Sequence, residues 1–147
     1  MRLFPLGLAG WILAATYALA LTPDEILKNL PHDQIEAQLP KENPTYYYLY
    51  AGRLMKEGAL RSALMWSFVG QLRCRIDFKA HPGTDSSLYT ALKSAVGTPL
   101  NHYGAKHVDQ WLGAIDAALA WDDQHDNTST PKAPPRSMPK SETDWPD

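Results

Sequence analysis

Four tyrosines fall within five positions: Tyr46, Tyr47, Tyr48 and Tyr50. A tyrosine ring is a rigid apolar body with a polar tip, which suits a binding surface. Successive helical residues point about 100° apart, so the four rings cannot all enter one core. Tyr47 and Tyr50 fit the apolar stripe of a helix, and Tyr46 or Tyr48 is expected to be partly exposed. Arg73 and Arg75 flank Cys74. Arg73 and Asp77 are spaced for an ordinary surface ion pair on a helix. Arg75 can reach a carboxylate such as Asp116, or an anionic ligand. Tyr46, Tyr48, Arg73 and Arg75 are therefore the candidate partner-binding residues.

The five histidines are His32, His81, His102, His107 and His125. Zinc sites on helices use histidines three or four apart, and His102 and His107 are five apart. The best metal-like cluster is Asp122-Asp123-Gln124-His125-Asp126. It stands where a helix should end, and acidic side chains there oppose the helix dipole. Such a placement calls for a cation or a basic partner. No metal site is assigned, and the runner-up set is His102, His107, Asp122, Asp123, His125 and Asp126. There is no Gly-x-Ser-x-Gly elbow, no Ser-x-x-Lys and no glycine-rich phosphate cradle. No catalytic residue and no cofactor are assigned. Cys74, the only cysteine, has apolar helical neighbours and reads as a small buried side chain rather than a nucleophile.

The elements that must position these residues read as helices. Thr22-Pro23-Asp24-Glu25 supplies an N-cap, a proline at the first helical position and a capping-box glutamate. This helix runs to about Leu30, and Pro31 stops it. Asp33 to Leu39 adds a turn or two. Asn43-Pro44 opens a helix that carries Tyr47, Tyr50, Ala51 and Leu54 and closes at Gly58. Leu60 to Phe78 is apolar around most of its circumference, which marks a central helix. His81-Pro82-Gly83 ends it. Asp85-Ser86-Ser87 caps the next helix, and Gly97 and Pro99 are expected to close it. The last helix, about Lys106 to Trp121, has Val108, Trp111, Leu112, Ile115, Ala118 and Leu119 on one face, expected to turn toward the core. No run alternates like a half-buried strand. The expected fold is all-α, two antiparallel helical hairpins stacked together.

The pair from Tyr46 to Leu72 resembles a tetratricopeptide hairpin. Tyr47, Tyr50, Ala51 and Leu54 match that family's first helix, Gly58 its turn, and Ala63 and Gly70 the small residues of its second helix. Ser67 and Arg75 depart from the pattern, standing where a larger apolar residue and a proline are usual. The resemblance implies a helical-hairpin, protein-binding architecture. The run Gly97-Thr98-Pro99-Leu100-Asn101, followed by Ile115-Asp116-Ala117-Ala118-Leu119-Ala120-Trp121-Asp122, is similar to small exported bacterial proteins of unknown role.

Both ends differ from the middle. Arg2, the apolar stretch Leu3 to Tyr17 and the small-x-small run Ala18-Leu19-Ala20 have the form of a cleavable export signal. From Thr128 to Asp147 the chain holds five prolines and few apolar residues, a composition that cannot offset its ordering entropy. The expected organisation is a signal peptide over 1–20, a helical domain over 21–127 and a disordered proline-rich tail over 128–147. Loss of Arg2 leaves 13 basic against 16 acidic residues, a mildly acidic balance that argues against nucleic acid as the partner. The expected protein is exported to the periplasm or extracellular space. It is a non-catalytic interaction module without stable membrane insertion once the signal is cleaved. One concrete form is an inhibitor or a toxin-neutralising, immunity-like protein. The alternative is a small metal- or ligand-binding protein or enzyme using residues near the last helix.

Overall fold

The structure, a computed structural model, describes residues 22–128. The expected signal peptide, and the expected tail apart from Thr128, lie outside the described residues. Among the described residues every regular element is helical, so the fold is all-α. The elements are α1 (Pro23–Lys28), α2 (His32–Gln38), a short 3-10 turn (Leu39–Lys41), α3 (Thr45–Lys56), α4 (Leu60–Ala80), α5 (Ser87–Leu92), a π-turn (Lys93–Gly97), α6 (Thr98–Lys106) and α7 (Val108–Gln124).

Local chemistry sets the helix ends. The Thr22 hydroxyl accepts the Glu25 backbone N–H, and the Glu25 carboxylate accepts the Thr22 N–H at 2.8 Å. Two of the orphan donors at the start of α1 are thereby satisfied. Asn43 Oδ1 accepts both the backbone N–H and the hydroxyl of Thr45 at the start of α3. At the other end of α3, Gly58 takes a φ of +82°. Its N–H bonds to the Met55 carbonyl, and the Ala59 N–H reaches the Leu54 carbonyl. This is a Schellman cap, and the left-handed residue within it favours glycine.

α4 is the axis of the molecule. It packs against α3 on one side and α7 on another. It buries Ala63, Leu64, Trp66, Ser67, Val69, Gly70, Arg73 and Cys74. The α3–α4 contact is close because Gly70 lacks a side chain. A Cβ there would stand 3.0 Å from both Tyr47 Cβ and Tyr48 Cδ2. The buried Ser67 hydroxyl donates to the Leu64 carbonyl of its own helix at 2.7 Å, so its polarity costs the core little.

Two expectations about the second half are corrected. Gly97 and Pro99 do not close a helix. The chain continues through them, and a π-turn absorbs the proline. The Thr98 N–H reaches back five residues to the Lys93 carbonyl. Pro99 lies in the first turn of α6, directly after the π-turn. Gly97 is buried because Tyr48 lies over it: a Cβ there would meet Tyr48 Cε1 at 3.4 Å. The second correction concerns the last helix: Trp111 and Ala118 of the expected face do turn inward, but Val108, Leu112 and Leu119 do not. Ala114 and Ala118 are buried, and Trp111 and Trp121 are half-buried beside them. Val108, Leu112 and Leu119 point to solvent, with 54%, 56% and 55% of their surfaces exposed. The helix is rotated so that its small and aromatic residues, not its aliphatic ones, meet α4. Gly104 on α6 shares this packing, since a Cβ there would stand 3.1 Å from Trp111 Cγ.

Candidate interaction surface

The candidate residues separate into an internal lock and an outward face. The lock is built on Arg73, whose side chain is buried. Its Nε donates to Asp122 Oδ1 at 2.7 Å, Nη1 to the Tyr47 hydroxyl at 3.1 Å, and Nη2 to the His125 carbonyl at 2.6 Å. Its Cζ lies 4.8 Å from the centroid of the Trp121 ring and 5.6 Å from that of Tyr47. A planar fork with hydrogen bonds in its plane and rings against its faces is an arginine geometry that lysine cannot supply. Trp66 completes the cluster, 5.9 Å from Tyr47 and 5.0 Å from Trp121 between ring centroids.

The lock accounts for Asp122 at the acidic end of the last helix. The cation that Asp122 calls for is the chain's own Arg73, which also holds the His125 carbonyl beyond the end of α7. Its charge complements the negative end of the helix dipole. Sequence reasoning gave Arg73 to Asp77 and expected any long-range pair at Arg75. In the structure Asp77 pairs with His81 at 3.1 Å, Arg75 is exposed, and Arg73 makes the long-range bond.

A second network closes the opposite side of the aromatic core. The Tyr50 hydroxyl donates to Glu36 Oε1 at 2.7 Å and lies 3.0 Å from His32 Nδ1. His32 Nε2 faces Glu57 at 3.1 Å, and Glu57 also accepts from Arg53 Nε. Arg53 Nη1 donates to the Leu30 carbonyl at 2.8 Å, which anchors the segment after α1. Burial, the largest influence on each, pushes the hydroxyls of Tyr47, Tyr48 and Tyr50 well above the usual tyrosine range. Burial likewise pushes the Cys74 thiol up to about 12, which removes it as a nucleophile at neutral pH.

The partner-binding set is therefore divided. Tyr48 and Arg73 are corrected: both are 1% exposed and their surfaces are taken by the core. Tyr46 is half-buried and Arg75 is exposed. The runner-up metal residues do not converge. Among the described residues no group of three His, Cys, Asp or Glu side chains could hold a metal ion. His107 Nδ1 lies 2.9 Å from the Tyr103 carbonyl and His125 Nδ1 lies 2.7 Å from the Trp121 carbonyl, each ring held to its own helical turn.

What sequence reasoning missed is the outward face of α7. Val108, Leu112, Ile115 and Leu119 recur at intervals of four, three and four residues, one stripe on a helix. Three of the four are more than half exposed, and Ile115 is half-buried at the edge toward the core. The periodicity was visible, but periodicity gives a face and not the direction in which that face points. No helix among the described residues is long and apolar enough to cross a membrane. Compared with known proteins, the chain matches no family model, no curated protein and no solved structure.

Proposed function

We propose that this protein is an exported, non-catalytic interaction module that binds another protein through the outward face of α7. The observation that carries this reading is the stripe of Val108, Leu112 and Leu119, each more than half exposed on one helix. Contiguous exposed aliphatic surface on a folded domain is a cost unless a partner covers it. The rigid support behind the stripe suits recognition. Arg73, Trp66 and Trp121 fix α7 against α4, so its face is presented without an ordering cost on binding. An inhibitor or toxin-neutralising protein is one concrete form of such a module, and export rests on the signal-like residues 1–20.

The test is capture of partners from an envelope extract by the full chain, compared with a Leu112→Lys, Leu119→Lys variant. Both substitutions fall on exposed sites, so melting temperature should change by no more than a few degrees. One stoichiometric protein captured by the parent and lost from the variant is the expected result. A partner retained equally by both would move the interface elsewhere, to Tyr46 and Arg75.

A further inference from the structure

Beside the apolar stripe of α7, exposed carboxylates lie on one flank only. Asp109, Asp116 and Asp123 recur every seven residues, about two helical turns, beside Val108, Leu112 and Leu119. All three carboxylates are exposed. None makes an ion pair among the described residues. Arg61 lies further around the helix, its Nη2 3.8 Å from where a Cβ on Gly113 would stand. The opposite flank is occupied by the molecule itself, through Trp111, Ala118 and Asp122 packed toward α4. An incoming element therefore meets aliphatic side chains with a carboxylate row along its one free margin.

From this arrangement we infer that α7 docks a basic amphipathic helix of another protein. That helix carries aliphatic residues at matching spacing and Lys or Arg along the flank that faces Asp109, Asp116 and Asp123. The inference rests on the interaction-module reading and names the chemistry of its partner. A second copy of this chain is the poorer occupant. Two α7 helices packed face to face and antiparallel about a two-fold axis set each flank against its own mate, so six carboxylates would line one margin. Like charges so placed oppose association. A parallel pairing would press the carboxylate row of each copy into the body of the other. A lysine- or arginine-flanked helix instead satisfies the row and covers the stripe, as in helix-in-groove recognition.

The probe is a synthetic helical peptide with leucines at intervals of four, three and four residues and lysines on one flank. Its controls are the same peptide with glutamates on that flank, and a scrambled peptide of identical composition. Binding to the full chain is read by fluorescence anisotropy. The lysine-flanked peptide is expected to bind, and both controls to bind at least tenfold more weakly. The Asp109→Asn, Asp116→Asn, Asp123→Asn variant should weaken the probe about tenfold at low salt, three exposed pairs each contributing modestly, and less at high salt. Leu112→Lys with Leu119→Lys should abolish it. Equal binding of the lysine and glutamate peptides would overturn the inference. So would indifference of the probe to the three Asn substitutions. A parent chain that sediments as a dimer, broken by the Leu112→Lys, Leu119→Lys variant, would assign the face to a second copy. Tighter probe binding after Lys132→Gln, Arg136→Gln and Lys140→Gln would assign it to this chain's own carboxy-terminal segment. A native partner captured through α7 while the probe fails would overturn the basic-helix inference and leave the module reading standing. An empty capture would overturn the module reading, and with it the partner inferred for α7, even where the probe binds.

Discussion

A guanidinium cannot sit unpaired in a protein core, because the desolvation penalty of the bare charge is several kcal/mol. Arg73 avoids that cost with three hydrogen bonds and two ring contacts, drawn from α3, α7 and the residues just past α7. Arg73→Ala should therefore destabilise the domain by about 3–5 kcal/mol, measured by denaturant unfolding, since it strands Asp122 and the His125 carbonyl together. Replacing Arg73 and Asp122 jointly by leucines should cost less than the single change, because no charge is then left behind. Cys74 gives a pH prediction. Its folded thiol is held up to about 12 against an ordinary value of 9.0. The unfolded chain thus loses this proton first as pH rises. The thiol's contribution to stability is fully present below about 9 and is lost progressively toward 12. The raised hydroxyls of Tyr47, Tyr48 and Tyr50 act in the same direction at higher pH. Cys74→Ala should flatten the fall in stability over that interval, and a thiol reagent should label the parent protein only on unfolding. On the acid side the exposed Glu57 carboxyl is held down, chiefly by the Arg53 hydrogen bond. Its contribution is present above the ordinary glutamate range and fades as pH falls through the lowered value.

At the scale of elements, contact between α3 and α4 is limited by one missing methyl group. Gly70→Ala would gain about 0.8–1.0 kcal/mol of helix propensity. It would also drive a methyl to within 3.0 Å of the Tyr47 Cβ and the Tyr48 ring. Neither neighbour can yield easily, since both rings are buried and Tyr47 is tied to Arg73. The steric term should win, with a net loss of about 1–3 kcal/mol in thermal or chemical unfolding. The π-turn at Lys93–Gly97 is a comparable accommodation. It carries the chain past Pro99 without ending the helix, and it sets Gly97 against Tyr48. Gly97 and Pro99 read as a stop signal in the sequence, because glycine and proline near a helix end usually mean termination. Here tertiary contact made the glycine a packing surface instead.

For the whole molecule, cohesion depends on contacts far apart in the chain. Arg73 and its α7 partner Asp122 are 49 residues apart, and Arg73 is 52 from His125. A peptide of α3 and α4 alone would lose the α7 contacts of Trp66 and Arg73. Excised, Thr45–Ala80 should show little helical circular dichroism in water and no cooperative melt, because most helical stability comes from tertiary packing. The full chain should melt in one transition, since α4 belongs to a single core shared by the surrounding helices.

Much of the local structure was legible in the residues themselves. The capping box at Thr22 and Glu25, the Asn43-Pro44 start, the Gly58 cap and the central character of α4 follow from interactions within a few residues, which sequence spacing records directly. The all-α class follows from them. Two matters were decided only by the tertiary structure. The first is which arginine is buried: Arg73 and Arg75 are neighbours in sequence, and the choice depends on which face of α4 is covered by α3 and α7. The second is the rotation of α7. Its aliphatic face is the stronger hydrophobic stripe, yet Ala114, Ala118, Trp111 and Trp121 take the core side. Small residues let α7 approach α4 closely, and the two tryptophans fill the margins. That choice, made by the packing of helices distant in sequence, is what leaves Val108, Leu112 and Leu119 facing outward.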